Sequence, residues 1–326
     1  MPLNSMLQGE SASIIKIIIV IILDYILGDP PNWPHPIRYI GLSISKYEKI
    51  IRKSGVNLKI GGFVLVFLSL VTALISSTII LKVANLIHPI LEAIIIIYLL
   101  YTCIAAKCLD IEAKKVHNAV YVRDIQRSRK QLSYLVGRDT SQLSFEEVIR
   151  GVVETVAENT VDGVLAPLFY MMIGFYFGYP VHFAISYKVI NTLDSMVGYI
   201  QEPYKEIGYA SAKLDDIVNY IPARIGSLLM ILSGGLLGYN MKQGFRILVR
   251  DRKNHKSPNC GYPEAAVAGL LGIQLGGTNT YFGEKLYKPT IGDSITCLRE
   301  EHITNTIKIM YGAELLSVLV FISIYI

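Results

Sequence analysis

Charge is what this chain has least of. Only 17% of its 326 residues are Asp, Glu, Lys or Arg, while 52% are hydrophobic, a balance too apolar for a soluble domain of this length. Cysteine is scarce too. Cys103, Cys108, Cys260 and Cys297 form no CxxC pair and no zinc spacing, which excludes those redox and metal motifs and leaves four reduced, structural thiols. Neither GxxxxGK[ST] nor GxGxxG occurs, so no generic nucleotide loop identifies a cofactor. There is no internal repeat, low-complexity tract or long linker, and no span alternates strictly enough to read as a β-strand.

The apolar residues come in blocks. Gly61–Leu81 carries no charge and is long enough to cross a bilayer core as a helix. Ile87–Ala106, with Glu92 its only charge, Ile221–Tyr239 and Asn305–Ile326 read the same way. Ser13–Leu27 carries Lys16 and Asp24 and lacks a small-residue cleavage site after it. It reads as a retained, imperfect first span rather than a signal peptide. Val164–Tyr179 is a further block. Val181–Ile200, holding His182, Lys188, Asn191 and Asp194, suits a re-entrant or interfacial position. The expected architecture is all-α: one polytopic membrane domain over residues 1–326, with amphipathic interfacial helices and re-entrant or interfacial polar segments.

Lysine and arginine crowd into Arg38–Lys59, Lys107–Arg138 and Lys242–Lys256, which the positive-inside bias assigns to the cytoplasm. Cytoplasmic polar segments are expected at about 28–60, 107–162, 201–220 and 240–304. Lys107–Val136 lacks Gly and Pro and reads as one amphipathic helix along the protein or the lipid headgroups. Membrane lipid is thus an expected partner; nucleic acid is not.

Several constellations carry chemistry. In "EEVIRGVVETVAENTVDG", Glu147, Glu154, Glu158 and Asp162 lie seven, four and four apart, which stacks them on one helix face. Clustered carboxylates suit magnesium; a solvated face partly neutralised by Arg150 is the plain alternative. Gly163 and Pro167 threaten to break the helix and take Asp162 off the stripe. Asn191 and Asp194 share a face, as do Asp215 and Asn219, with Asp216 adjacent and Arg224 just past Pro222. Such groups at membrane depth point to function, with caps and interfacial anchors as the plain reading. Arg246, Arg250, Arg252, Lys253, His255 and Lys256 precede Ser257-Pro258-Asn259 and a small-residue helix from Glu264 to Gly272. Basic groups ahead of a helix start suit phosphate, although positive-inside charge explains the arginines equally well. Lastly, "GDPPNWPHPIRYIG", residues 28–41, sets Pro30, Pro31, Pro34 and Pro36 around the sole tryptophan, Trp33, and His35, a rigid elbow at the membrane interface.

Five segments, "DYILGDPPNWPHPIRYIG", "VVETVAENTVDGVLAPLFY", "NTLDSMVGY", "SAKLDDIVNYIPAR" and "RDRKNHKSPNCGYPEAAVAGLLGIQLGG", together resemble the CobD/CbiB family of cobalamin biosynthesis, the membrane-bound adenosylcobinamide-phosphate synthases. The resemblance spans roughly residues 24–300. It implies an ATP-dependent amide synthase joining the propionate carboxylate of adenosylcobyric acid to (R)-1-amino-2-propanol O-2-phosphate, or an ethanolamine relative, to give adenosylcobinamide phosphate. Activation of a carboxylate by phosphoryl transfer calls for positioning and charge neutralisation, and the protonated amine calls for a general base.

Under that resemblance His255 and Glu158 are the catalytic candidates, and Glu154, Glu158, Asp162, Asp194, Asp215 and Asp216 would hold magnesium. Asp29, Trp33, His35, Arg38, Asn191, Arg224, Arg250, Arg252, Lys256, Asn259 and Glu264 would contact corrinoid or phosphate, with the elbow as one wall of the corrinoid pocket. An amide at Glu154 or Glu158 is expected to abolish synthesis and spare folding, because it removes charge and almost no volume. The resemblance further implies a multi-pass protein of the cell membrane, its active face cytoplasmic, as a homo-oligomer or in association with other enzymes of nucleotide-loop assembly. Two other classes stand beside it. A transporter of a corrinoid or organic anion would show paired halves with matching broken spans, and none is visible. A non-catalytic membrane signalling protein of the same shape would lack the coupling activity.

Overall fold

The structure, a computed structural model, describes residues 10–30, 33–281 and 284–325; Pro31 of the elbow lies outside the described residues. The described chain is helical apart from one two-stranded hairpin. Three helical stretches, Leu58–Ile87, Pro89–Tyr121 and Glu301–Ile324, are long and apolar enough to cross a membrane, and Tyr209–Val218 with Tyr220–Leu236 passes the same test as a pair. Their outward side chains agree: Phe63, Phe67 and Leu86 stand exposed, Leu86 by 86%. Apolar surface of that extent is stable in lipid and costly in water. The first helix, α1 (Glu10–Leu27), forms as expected but holds Glu10, Lys16 and Asp24, and is not in that set.

The chain divides into two compact units, each discontinuous in sequence: residues 1–105, 166–219 and 318–326 form one, and 106–165 with 220–317 the other. The first contains α1, α2 (Pro36–Lys53), α3 (Leu58–Ile87), α4 (Pro89–Tyr101), α8 (Ala166–Tyr176), α9 (Pro180–Val197) and α10 (Tyr209–Val218). Helix α9 packs on α2, α3, α4, α8 and α10, burying Tyr187, Val189 and Leu193. Its polar residues are absorbed locally, as where His182 Nε2 lies 2.9 Å from Thr78 Oγ1.

The second unit contains α5 (Ala106–Tyr121), α6 (Ile125–Leu132), α7 (Phe145–Thr160), a π turn (Val161–Leu165), α11 (Tyr220–Leu236), α12 (Met241–Asp251), α13 (Gly261–Leu271), strands β1 (Leu275–Tyr281) and β2 (Glu284–Ile291), and most of α14 (Glu301–Tyr325). Helix α13 is its centre, buried at every position except Tyr262. Gly269 lets it touch α12, since a Cβ there would lie 2.7 Å from the Gly244 Cα.

Two local expectations change. Lys107–Val136 is not one amphipathic helix. Arg123 adopts a positive φ of 60°, and Asp124 caps a new helix by accepting from the Arg127 N–H at 2.9 Å, so the chain turns between α5 and α6. Gly163 and Pro167, by contrast, do not break the helix; the wider π turn joins α7 to α8 and carries Asp162 within it. Such turns recur at functional sites.

Candidate active site

The carboxylate stripe separates by role. Glu147 is part of a capping box, accepting from Ser144 N (2.8 Å) and Oγ (2.9 Å) while Ser144 Oγ accepts from Glu147 N. That reciprocal pair fixes where α7 begins. Two turns on, Glu154 is buried at 6% exposure. Its Oε2 accepts from Arg138 Nη2 at 3.1 Å, its Oε1 accepts from the Gly276 N–H at 2.9 Å, and Arg150 Nε lies 3.9 Å away. Arg138 is itself only 5% exposed, so this is a buried ion pair drawn from loop, helix and hairpin.

Glu158 lies one turn further and accepts from the Cys260 thiol at 2.9 Å. Burial, then the Glu158 and Asp162 charges, push that thiol well above 9.0. Cys260 is therefore a protonated donor rather than a nucleophile, and all four cysteines are free. Glu264, on α13, is 3% exposed. Burial and the neighbouring Glu154 and Glu158 raise its carboxyl well above 4.5, against the opposing charges of Lys288 and Arg138.

That shift has a consequence for stability. A carboxyl whose folded value is raised contributes stability that is present below the free-glutamate value of 4.5 and lost as pH rises toward the folded value. Thermal unfolding in detergent should therefore show the wild type declining above that pH, and Glu264→Gln declining less. Superimposable pH profiles would remove Glu264 as the source.

His255 is also displaced, downward from 6.5, by burial and then by Lys288, with Glu158 and Glu154 pulling the other way. Its Nδ1 accepts from the Ser257 N–H at 3.0 Å, and its Nε2 is 3.3 Å from Lys288 Nζ. A backbone N–H and an ammonium are both donors, so the ring is met by a donor at each of its nitrogens.

The rest of the basic segment is tied to the fold. Arg250 makes two bonds of 2.7 Å to Asp251 and one ion pair of 2.8 Å to Asp293, which engage its Nε and Nη2. Asp251 in turn accepts from the Gly292 N–H at 2.8 Å, fastening the end of α12 to the end of β2. Arg252 donates to the Val249 carbonyl at its own helix end, and Lys256 is exposed. The Ser257-Pro258-Asn259 punctuation is a local turn in which Ser257 Oγ accepts from Asn259 N at 3.2 Å. Asn259 Oδ1 accepts from Arg224 Nη1 at 3.3 Å, and the Arg224 guanidinium lies over the rings of Tyr220 and Tyr262, 3.3 and 4.4 Å from their centroids.

In the other unit, His35 Nε2 lies 3.2 Å from Asp29 Oδ1. Tyr98 and Tyr101 hydroxyls donate to the Pro34 and Gly28 carbonyls, so α4 holds the elbow. Trp33 is 49% exposed and Arg38 is exposed. Pro34 and Pro36 wall a cavity of about 470 Å³ with Ser69, Thr72 and Ile95. Two of its hydroxyls are taken up within the fold, Ser69 donating to the Leu65 carbonyl and Thr72 bonding Tyr47. That lining suits hydrocarbon better than an amide-rich ring. Asn191 and Asp194 are half-buried on α9. Asp215 accepts from Asn219 Nδ2 at 3.0 Å, and Asn219 accepts from Tyr187 at 2.9 Å. Asp216 pairs with Lys213 at 3.4 Å.

The structure thus gathers Glu154, Glu158, Glu264 and His255, and adds Arg138, Cys260, Gly276 and Lys288. Sequence reading offered no site role for these four; the i,i+4 spacing of Arg150 to Glu154 was the one available signal among their neighbours. Among the described residues no three His, Cys, Asp or Glu side chains form a ready metal site. Magnesium does not require one, because it keeps several waters and commonly takes one or two carboxylates plus substrate phosphate. The carboxylates gathered there, Glu154, Glu158 and Glu264, are oxygen donors of the kind a hard cation takes.

A family model described as CobD/Cbib protein matches residues 17–310. The Cobalamin biosynthesis protein CobD of Clostridium tetani is 47% identical over 315 residues, covering 94% of this chain and 96% of its own. The protein of the same name from Citrobacter koseri is 46% identical, covering 93% and 94%. The Cobalamin biosynthesis protein CbiB of Salmonella arizonae is 45% identical with the same coverage. No solved structure matches the chain.

Proposed function

Because this chain belongs to the CobD/CbiB family of cobalamin biosynthesis, we propose that it is an ATP-dependent amide synthase that attaches a phosphorylated amino alcohol to the propionate carboxylate of adenosylcobyric acid. The observation that carries the reading is the gathering of Glu154, Glu158 and Glu264 with Arg138, Arg150 and Lys288 in one polar interior. Mixed buried charge of this kind is expensive to maintain and common where chemistry is done.

The reaction balances in two steps. The propionate oxygen attacks the terminal phosphorus of ATP, and ADP leaves with the bonding pair. The ammonium group first gives a proton to Glu158; the free amine then attacks the acyl carbon, and phosphate departs with the bonding pair and takes up the second amine proton. Arg150 and Lys288 supply positive charge against the phosphoryl oxygens. Asp162 is the carboxylate that would hold magnesium alongside substrate phosphates, and magnesium, when bound, neutralises phosphate charge. Glu158 serves as base: its carboxylate accepts from a thiol, a weak donor that an incoming ammonium group displaces.

The test is a purified-protein assay in detergent: adenosylcobyric acid, the phosphorylated amine and MgATP should yield the amide with one ADP per turnover. No product, or product without ADP, would sink the reading. The basic segments are assigned to the cytoplasm by charge bias. Cysteine-accessibility labelling at Lys59, Arg129 and Lys253 should report a single inner face; labelling of Lys253 from outside would reverse that.

A further inference from the structure

A second cavity, of about 380 Å³, lies in the unit that holds the carboxylates, between the start of α7, the β1 bulge and the segment after β2. We propose that it binds the phosphate group of one of the two phosphorylated substrates. The inference rests on the ligase reading for the identity of the ligand, and on the cavity itself for its chemistry.

Three observations converge. Arg150 lines the cavity with the Ser294 hydroxyl, donors of the kind that recognise phosphate oxygens, while the neighbouring Ser144 hydroxyl is spent on Glu147. Beside it runs Gly276-Gly277, with φ of +80° and +87°. A Cβ on Gly277 would stand 3.1 Å from Arg150 Nη1, so the guanidinium lies against bare backbone, and a side chain there would displace it. Lastly, the Gly276 N–H is bonded to Glu154 Oε1 at 2.9 Å, so this wall is continuous with the buried acid cluster. A phosphate held here is delivered beside the carboxylates rather than at a remote surface. The volume falls within the range of small-molecule sites and suits a phosphate ester far better than a corrinoid.

Glu146 and Glu147 also line the cavity. Glu147 is committed to its capping box, and Glu146 is exposed. Acids beside a phosphate repel it unless a divalent cation intervenes, so the ligand is expected as its magnesium complex.

The experiment measures binding to the full-length protein in detergent, with ATP, the phosphorylated amine and adenosylcobyric acid each titrated with and without magnesium. Inorganic phosphate serves as competitor. Arg150→Lys keeps the charge and loses the planar fork. It should weaken one of the two phosphorylated ligands roughly tenfold to a hundredfold and leave the corrinoid unchanged. A loss for ATP identifies the polyphosphate, and a loss for the amine identifies the ester. Because Arg150 also neighbours Glu154, Ser294→Leu provides a second variant at an exposed position that fills the cavity without touching the ion pair. The same selective weakening is expected of it. Wild-type affinity for both ligands in Ser294→Leu, or in a folded Arg150→Lys, overturns the cavity assignment and leaves the ligase reading standing. Wild-type protein that binds neither phosphorylated ligand overturns both.

Discussion

Glu158→Gln should lower amide synthesis by at least about a hundredfold, the low end of what a positioned general base contributes, with the unfolding midpoint close to wild type. Glu158 accepts from the Cys260 thiol at 2.9 Å, and a glutamine oxygen accepts that weak bond equally well. Volume, rotamer and packing are retained. What disappears is the capacity to take a proton from the incoming amine. The loss should therefore fall on kcat, with little change in KM for ATP or for the corrinoid acid. Raising the pH should recover part of it, since a larger share of amine then arrives deprotonated. Near-normal turnover at saturating MgATP would assign Glu158 to packing alone.

Glu154→Gln is expected to act on folding as well as on activity. The sequence alone suggests that an amide here removes charge at no structural cost. The structure alters that expectation, because the charge is the partner of Arg138, whose side chain is 5% exposed. Removing one member of a buried ion pair strands the other and typically costs about 3–5 kcal/mol. The amide oxygen of the variant would keep the bond from the Gly276 N–H, so the low end of that range applies. Unfolding in micelles should fall accordingly. Arg138→Met in the same background should recover part of the loss, a coupling of about 0.5–3 kcal/mol in a double-mutant cycle. A Glu154→Gln protein as stable as wild type would mean that Arg138 finds other neutralisation.

Features set by neighbours along the chain were legible before the fold was known. The charge-free block Gly61–Leu81 lies within α3, since a long apolar run in lipid has to satisfy its backbone bonds internally. Glu154 and Glu158 share a face because helical periodicity is a local property. Pro36 opens α2 and Pro89 opens α4, as the missing N–H allows. Even the capping role of Glu147 was written in Ser144-x-x-Glu147, although a reading of charge alone merged it with the acidic stripe.

Contacts between residues distant in sequence were not legible. Nothing in the spacing brings Gly276, 122 residues on, to Glu154, or Cys260, 102 residues on, to Glu158. The hairpin that supplies Gly276 and Lys288 has a weak strand pattern, interrupted by a register shift between Leu275 and Gly277. Arg250 and Arg138 look alike as basic residues. One engages Asp251 and Asp293 on its own unit's surface, and the other is buried against Glu154. The sequence by itself determined a helical membrane protein and the face on which its acids lie, because hydropathy and the 3.6-residue period act within one segment. Only the tertiary structure decided which basic group meets which acid, and which carboxyl is pushed upward in pKa, because Coulomb interaction and desolvation depend on distance through space.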